Sequence, residues 1–180
     1  MRTLSGMLLI LMTTVIPVSA SDASPGQGGA TPLNTREAET LVLMREDEKL
    51  ARDVYWVLYM YWQQDTWLKA MQQRQARMNS IGLLLEQYDL PDPLPDNRPG
   101  SFPSPESGNL YTQLVARGRL SHVDAIDVGI EIEKIDITDL LAALHESRHE
   151  TLDQAYRTML DSSRQTLNEM SALRQVIARR

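Results

Sequence analysis

Glutamates inside apolar stripes are the residues in this chain whose type and spacing could do chemistry. Leu41, Met44, Glu48, Ala51, Tyr55, Leu58 and Trp62 follow one another at steps of three and four, the seam of a helix packed lengthwise against others. A carboxylate in such a seam needs a cationic partner or a metal, because an unpaired buried charge is too costly. Glu133 closes a second stripe with Ile126 and Gly129. A third stripe, Trp67, Met71, Arg74, Met78, Ile81, Leu85 and Tyr88, is interrupted by Arg74 and bordered by Arg77. A fourth reads Leu152, Tyr156, Met159, Ser163, Thr166, Met170, Leu173 and Ile177, with a neutral polar middle. A different chemistry is suggested by His145-Glu146-Ser147-Arg148-His149, which has the spacing of zinc peptidases, with Glu169 further on as a possible third ligand. There two imidazoles on one helical face would hold zinc and Glu146 would act as general base. Arg148 places a cation inside that motif, and the segment lies at a helix junction, so a pair of surface histidines is the preferred reading.

The elements that must position these residues are all helical. The first helix runs from Thr35 or Glu39 to Gln63 and the second, after a turn at Gln64 to Thr66, to Tyr88. So short a turn makes the pair antiparallel, so Glu48 and Arg74, each near the middle of its helix, can face one another. Residues 89–109 hold six prolines and exclude a helix or a central strand. Their length suits a crossover that lets the next long helix run parallel to the second. A brief helix is predicted over Leu110 to Arg117, ended by Gly118, then a third main helix from Ser121 to Lys134, a short helical piece opened by Asp136 or Thr138, and a last helix from Glu150 to Ile177. No strand signal of useful length is present, and the fold class is all-α.

The chain of 180 residues suits one domain. Its net charge of −6 and pI near 5.1 argue against a nucleic-acid partner, which needs a basic face. Arg2, the apolar run from Met7 to Val18 and the small residues ending at Ala20 are read as a signal peptide over 1–20. The apolar run falls short of the ~20 residues that span a bilayer, so a cleaved leader is preferred to a retained anchor helix, and no stable membrane insertion is expected after cleavage. Residues 21–34, rich in Gly, Pro and Ser, read as a flexible linker, and 35–180 as the folded domain. With no cysteine there is no disulfide framework. A secreted or periplasmic location follows. Tyr55 and Trp62 fit the core of the first helix, whereas Trp56, Tyr59 and Tyr61 cannot all share a face; any left exposed favour association.

Four blocks, EDEKLARDVY (Glu46 to Tyr55), LLEQYDLPDP (Leu84 to Pro93), LYTQLVARG (Leu110 to Gly118) and DAIDVGIEIEKIDI (Asp124 to Ile137), resemble an uncharacterised prokaryotic family of ferritin-like, rubrerythrin-related domains. The resemblance spans Glu39 to about Leu173 and implies a ferritin-like four-helix bundle with a long Pro-rich crossover between its second and third main helices. It also implies candidates for a di-iron or similar site: a Glu on the first helix, Glu-x-x-His on the second, Glu on the third and His on the fourth. Glu48 and Glu133 match the first and third. The second-helix Glu falls on Arg74, its His on Arg77, and the fourth-helix His on Thr166. A guanidinium is a permanent cation that cannot ligate, so Arg74, with Arg77, is expected to neutralise Glu48 and Glu133 in place of a metal. The expected protein is therefore a non-enzymatic structural or partner-binding module without a cofactor, its partner an unidentified protein or a second copy. The alternative is a metalloprotein, handling iron or another divalent metal through Glu48 and Glu133 or, remotely, a zinc peptidase using His145, Glu146 and His149.

Overall fold

A computed structural model describes residues 32–179 with the exception of Pro95; the expected leader and most of the linker lie outside this range. Five helices follow in order: α1 (Thr35–Trp62), α2 (Asp65–Gln87), α3 (Pro105–Gly118), α4 (His122–Glu146) and α5 (Glu150–Ala178). No strand is present among the described residues. The main packing pairs are α1 with α2 and α4 with α5, and α3 lies against both α1 and α4.

Local chemistry sets the boundaries. Asn34 and Glu37 form a reciprocal capping box at the start of α1, satisfying backbone donors that a helix terminus otherwise leaves open. At the other end Gln63 turns left-handed at φ 51° and returns its N–H to Tyr59 O, so the chain enters α2 within two residues. The predicted brief helix at Leu110 begins earlier: Ser104 caps it by accepting from Ser107 N, and Pro105 occupies the first turn, where its missing N–H costs nothing. The break expected near Lys134 is absent. Asp136 is not a cap but points into the bundle toward Arg74 and Arg77, and α4 continues to Glu146.

Two apolar clusters fill the interior. One joins Val54, Tyr55, Leu58, Trp67, Leu114, Val128 and Met170; the other joins Leu41, Met44, Ile81, Leu140, Leu152 and Tyr156. Gly129 permits the close approach in the first: a Cβ there would stand 2.5 Å from Met170 Sδ and 3.1 Å from the Trp67 ring. Of the aromatics on α1, Tyr55 is fully buried and Trp62 donates to Gly118 O at 2.8 Å. Tyr59 packs against the first cluster, while Trp56 and Tyr61 are exposed. Among the described residues no helix is long and apolar enough to cross a membrane.

Candidate functional site: a buried arginine–carboxylate cluster

Between the two apolar clusters lies a polar layer contributed by four helices. Glu48 of α1, Arg74 and Arg77 of α2, Glu133 of α4 and Ser163 of α5 are all buried, and Asp136 of α4 joins them from a less enclosed position. The mid-helix seam positions put them at one level: α1 and α2 are antiparallel, so residues near their centres meet. Arg74 is the hub. Its Nη2 lies 2.7 Å from Glu133 Oε2, and its Nη1 lies 3.2 Å from Glu48 Oε1 and 3.0 Å from Asp136 Oδ1. Arg77 reinforces it, with Nη2 2.5 Å from Glu48 Oε1 and 2.9 Å from Asp136 Oδ2 and Nη1 donating to Ser163 Oγ at 2.6 Å. Ser163 Oγ also donates to Asp136. Tyr55 Oη donates to Glu133 Oε1 at 2.6 Å.

The electrostatics follow from this geometry. Burial pushes Glu48 above its ordinary value, and Arg77 and Arg74 only partly offset it. For Asp136 burial acts in the same direction, yet the two guanidiniums outweigh it and hold the carboxyl below the usual range. Burial raises the Tyr55 phenol, and the adjoining Glu133 raises it further, so the hydroxyl stays a donor. Three carboxylates facing two guanidiniums leave the cluster acidic, and the excess grows on one side: Asp47 and Asp139 line, with Glu48, Arg74 and Asp136, a cavity of about 50 Å³ whose remaining wall is largely apolar. Neither Asp47 nor Asp139 has a cationic partner within salt-bridge distance among the described residues. Burial, then the Asp139 charge, pushes Asp47 well up; burial, then Asp136, pushes Asp139 up to about 6.

The Asp139 shift carries a stability consequence. Its folded value lies above the ~3.9 of an unfolded aspartate, so ionisation is penalised in the folded chain above pH 6, and the penalty vanishes below about pH 4. Asp139→Asn is therefore expected to stabilise the protein near pH 8 by about 1–2 kcal/mol, a value reduced for solvent screening of a partly exposed carboxyl. Near pH 4 it should gain nothing. Urea denaturation at the two pH values measures the difference.

Of the positions singled out from the sequence, Glu48, Arg74, Arg77 and Glu133 are brought together. Thr166 is not: its Oγ1 donates to Gln73 and to Ser162 O. Asp136 and Ser163 complete the cluster instead. The peptidase spacing does not survive folding, because α4 ends at Glu146 and His149 is the N-cap of α5, so the two histidines share no helical face. Glu146 pairs with Arg36, and His149 Nε2 lies 3.2 Å from Pro32 O. Among the described residues no three His, Asp or Glu side chains form a set that could hold a metal ion. Nor does the cluster itself suit one, since two guanidiniums fill the centre where a divalent ion would have to sit.

A second polar network escaped sequence reasoning. Lys49 and Asp53 are wholly buried on the face of α1 turned away from Arg74. Asp53 Oδ2 accepts from Lys49 Nζ at 2.7 Å and from Gly100 N at 2.9 Å, and Oδ1 accepts from Arg52 Nε at 2.8 Å. Lys49 also donates to Arg98 O at 2.8 Å, its ammonium 4.5 Å from the centre of the Phe102 ring. Arg52 reaches Asn97 and Gln75. These bonds fasten the proline-rich segment across α1. The available signal was the Lys49/Asp53 spacing of four, which puts both on one helical face.

Residues 37–179 match the model of an uncharacterized protein domain, DUF2202. The chain belongs to this family. A DUF2202 relative is the uncharacterized protein MJ0754 of Methanocaldococcus jannaschii, 38% identical over 133 residues, covering 74% of this chain and 72% of that protein. The crystal structure of hypothetical protein MJ0754 superposes with a TM-score of 0.80 at 34% identity, over 87% of each chain. The crystal structure of a DUF305 fragment from Deinococcus radiodurans shares the fold at a TM-score of 0.65 and 15% identity, covering 81% of this chain and 99% of that one. The DUF2202 domain is thus a helical bundle that accounts for all five helices described here.

Proposed function

We propose that this DUF2202 protein is an exported, ferritin-like helical bundle in which an arginine–carboxylate cluster has taken the place of a carboxylate–histidine metal centre, and that it serves as a structural or partner-binding module and not as a redox enzyme. The observation that carries this is Arg74, whose guanidinium bridges Glu48 and Glu133. Those glutamates occupy the first- and third-helix positions at which the ferritin-like resemblance expects ligands. A charge-assisted, doubly anchored guanidinium supplies the cross-linking charge that a metal supplies elsewhere. The arrangement of two antiparallel pairs, α1 with α2 and α4 with α5, joined through the proline-rich segment and α3, supports the ferritin-like comparison.

Metal analysis of untagged protein tests this. Well below one iron, manganese or zinc ion per chain is expected, before and after dialysis against each metal; a stoichiometric ion would overturn it in favour of a metal-handling protein or oxidoreductase with an altered site. Export is proposed from the leader, with a secreted or periplasmic product beginning after Ala20.

A further inference from the structure

The groove between α1 and α4 is only half filled. These two helices meet sparingly, and α3 occupies the upper part of the space between them: Leu50, Val54 and Val57 of α1 and Val128 and Ile132 of α4 cluster with Leu114 and Val115 of α3. The same stripe of α1 continues at steps of three and four below the start of α3, through Asp47, Leu43, Thr40 and Arg36. There α3 does not cover it, and the Arg36–Glu146 ion pair closes its lower end. Leu43 is 52% exposed, while the matching stripe of α4 runs through Ile135, Asp139, Ala143 and Glu146. Two cavities open along this lower half, one between Asp47 and Asp139 and the other, of about 40 Å³, between Arg36, Thr40, Ala143 and Glu146.

We propose that the lower half of the α1–α4 groove docks a basic amphipathic helical segment of a partner protein, its apolar face on Leu43 and the half-buried Ile135 and its Lys or Arg side chains meeting Asp47 and Asp139. This identifies the kind of partner for the binding role proposed above and rests on that reading. From Thr40 to Asp47 the open stretch measures about 11 Å at 1.5 Å per residue, about two turns of helix. The precedent lies in the upper half, where α3 buries Leu114 and Val115 in the groove and its Arg117 pairs with Glu131 of α4. Asp47 and Asp139 face Glu46, Glu48 and Asp136, with Arg74 the cation lining the same cavity, so an added cation relieves repulsion that the chain leaves unanswered. The chain's own N-terminal segment cannot supply it, since residues 1–31 contain a single basic residue, Arg2. A second copy is disfavoured by the net charge of −6, which makes copies repel.

The cysteine-free sequence allows a single reporter. Full-length protein carrying Glu39→Cys, an exposed site one turn from Leu43, is labelled with an environment-sensitive fluorophore and titrated with a synthetic four-turn Leu/Lys amphipathic helix. Saturable binding is expected at pH 7.5, weakened about tenfold or more by Asp47→Asn with Asp139→Asn, and weakened similarly in wild-type protein at pH 5, where protons compete for the same carboxylates. The double variant should fold at least as well as the parent, so loss of binding reports the groove. Equal binding by the double variant, equal binding by a scrambled peptide of the same composition, or no saturable binding overturns the proposal. Concentration-dependent dimerisation without peptide, abolished by the same double variant, also overturns it and assigns the groove to a second copy. Metal content is read separately, so a metal-loaded protein that still binds peptide refutes the metal-free reading alone.

Discussion

Replacing Arg74 by alanine is expected to destabilise the protein by roughly 3–5 kcal/mol, the range for breaking a buried ion pair from one side. Glu48, Glu133 and Asp136 would lose their common partner, leaving Arg77, which reaches Glu48 and Asp136 but forms no salt bridge with Glu133. The deficit should depend on pH. Asp136 is held below the ordinary carboxylate range by Arg74 and then Arg77, so it contributes stability that is present above the unfolded value and lost as pH falls through the folded one. Without Arg74 that contribution shrinks, while Glu48, already raised by burial, rises further. The variant should therefore lie furthest below wild type at neutral pH and approach it near pH 4. Arg74→Lys keeps the charge but replaces a planar fork by one ammonium, and it should fall between the two. Replacing Arg74, Glu48 and Glu133 together by apolar residues of similar size should cost far less than Arg74→Ala alone, because paired removal abolishes the desolvation cost with the attraction. Urea denaturation followed by circular dichroism reads all of these; equal stability of Arg74→Ala and wild type at neutral pH would refute the hub role.

The hub was legible in the sequence for a geometric reason. Glu48, Arg74 and Glu133 each interrupt an apolar seam near the middle of a long helix, and antiparallel neighbours bring such interruptions to one level. Asp136 was missed because an Asp after Glu133 and Lys134 resembles a helix-opening residue; only the continuity of α4 turns it into the bundle. Thr166 shows the opposite failure: its place in the seam suggested membership, but its short side chain reaches Gln73 and its own helix backbone, and Ser163, one turn earlier, meets Arg77. The histidine motif already read as falling on a helix junction, and α4 and α5 do divide it there. Lys49, Arg52 and Asp53 were illegible for another reason. They belong to the side of α1 that a bare bundle exposes, and their burial depends on where a proline-rich segment without periodicity lies down.

Replacing Asp53 by alanine is the second change expected to cost roughly 3–5 kcal/mol, and it should act at a different place. Asp53 is the anion between two buried cations, Lys49 and Arg52, and the acceptor for Gly100 N. Its loss leaves two positive charges without their counter-ion under the proline-rich segment and removes one of the bonds that hold that segment down. Of the other attachments, Arg45 to Asp92 and Glu46 to Ser104 N lie to either side and are more exposed or longer, while Lys49 to Arg98 O and Arg52 to Asn97 come from the two cations that Asp53 neutralises. Residues 96–104 should lift before the bundle unfolds. Amide exchange at Gly100 and limited proteolysis within this stretch should accelerate in Asp53→Ala, whereas Arg74→Ala should accelerate exchange in the helices without singling out the segment. Asp53→Asn keeps an acceptor for Gly100 N but not the charge, and it should restore part of the protection of Gly100 while recovering less of the stability. Arg45→Ala, which breaks a pair at the solvent edge, should cost about 1 kcal/mol or less if it acts through the ion pair alone. If Asp53→Ala instead leaves Gly100 protected, Lys49 to Arg98 O and the Phe102 contact suffice to hold the segment, and the charge of Asp53 serves only to neutralise its neighbours on α1.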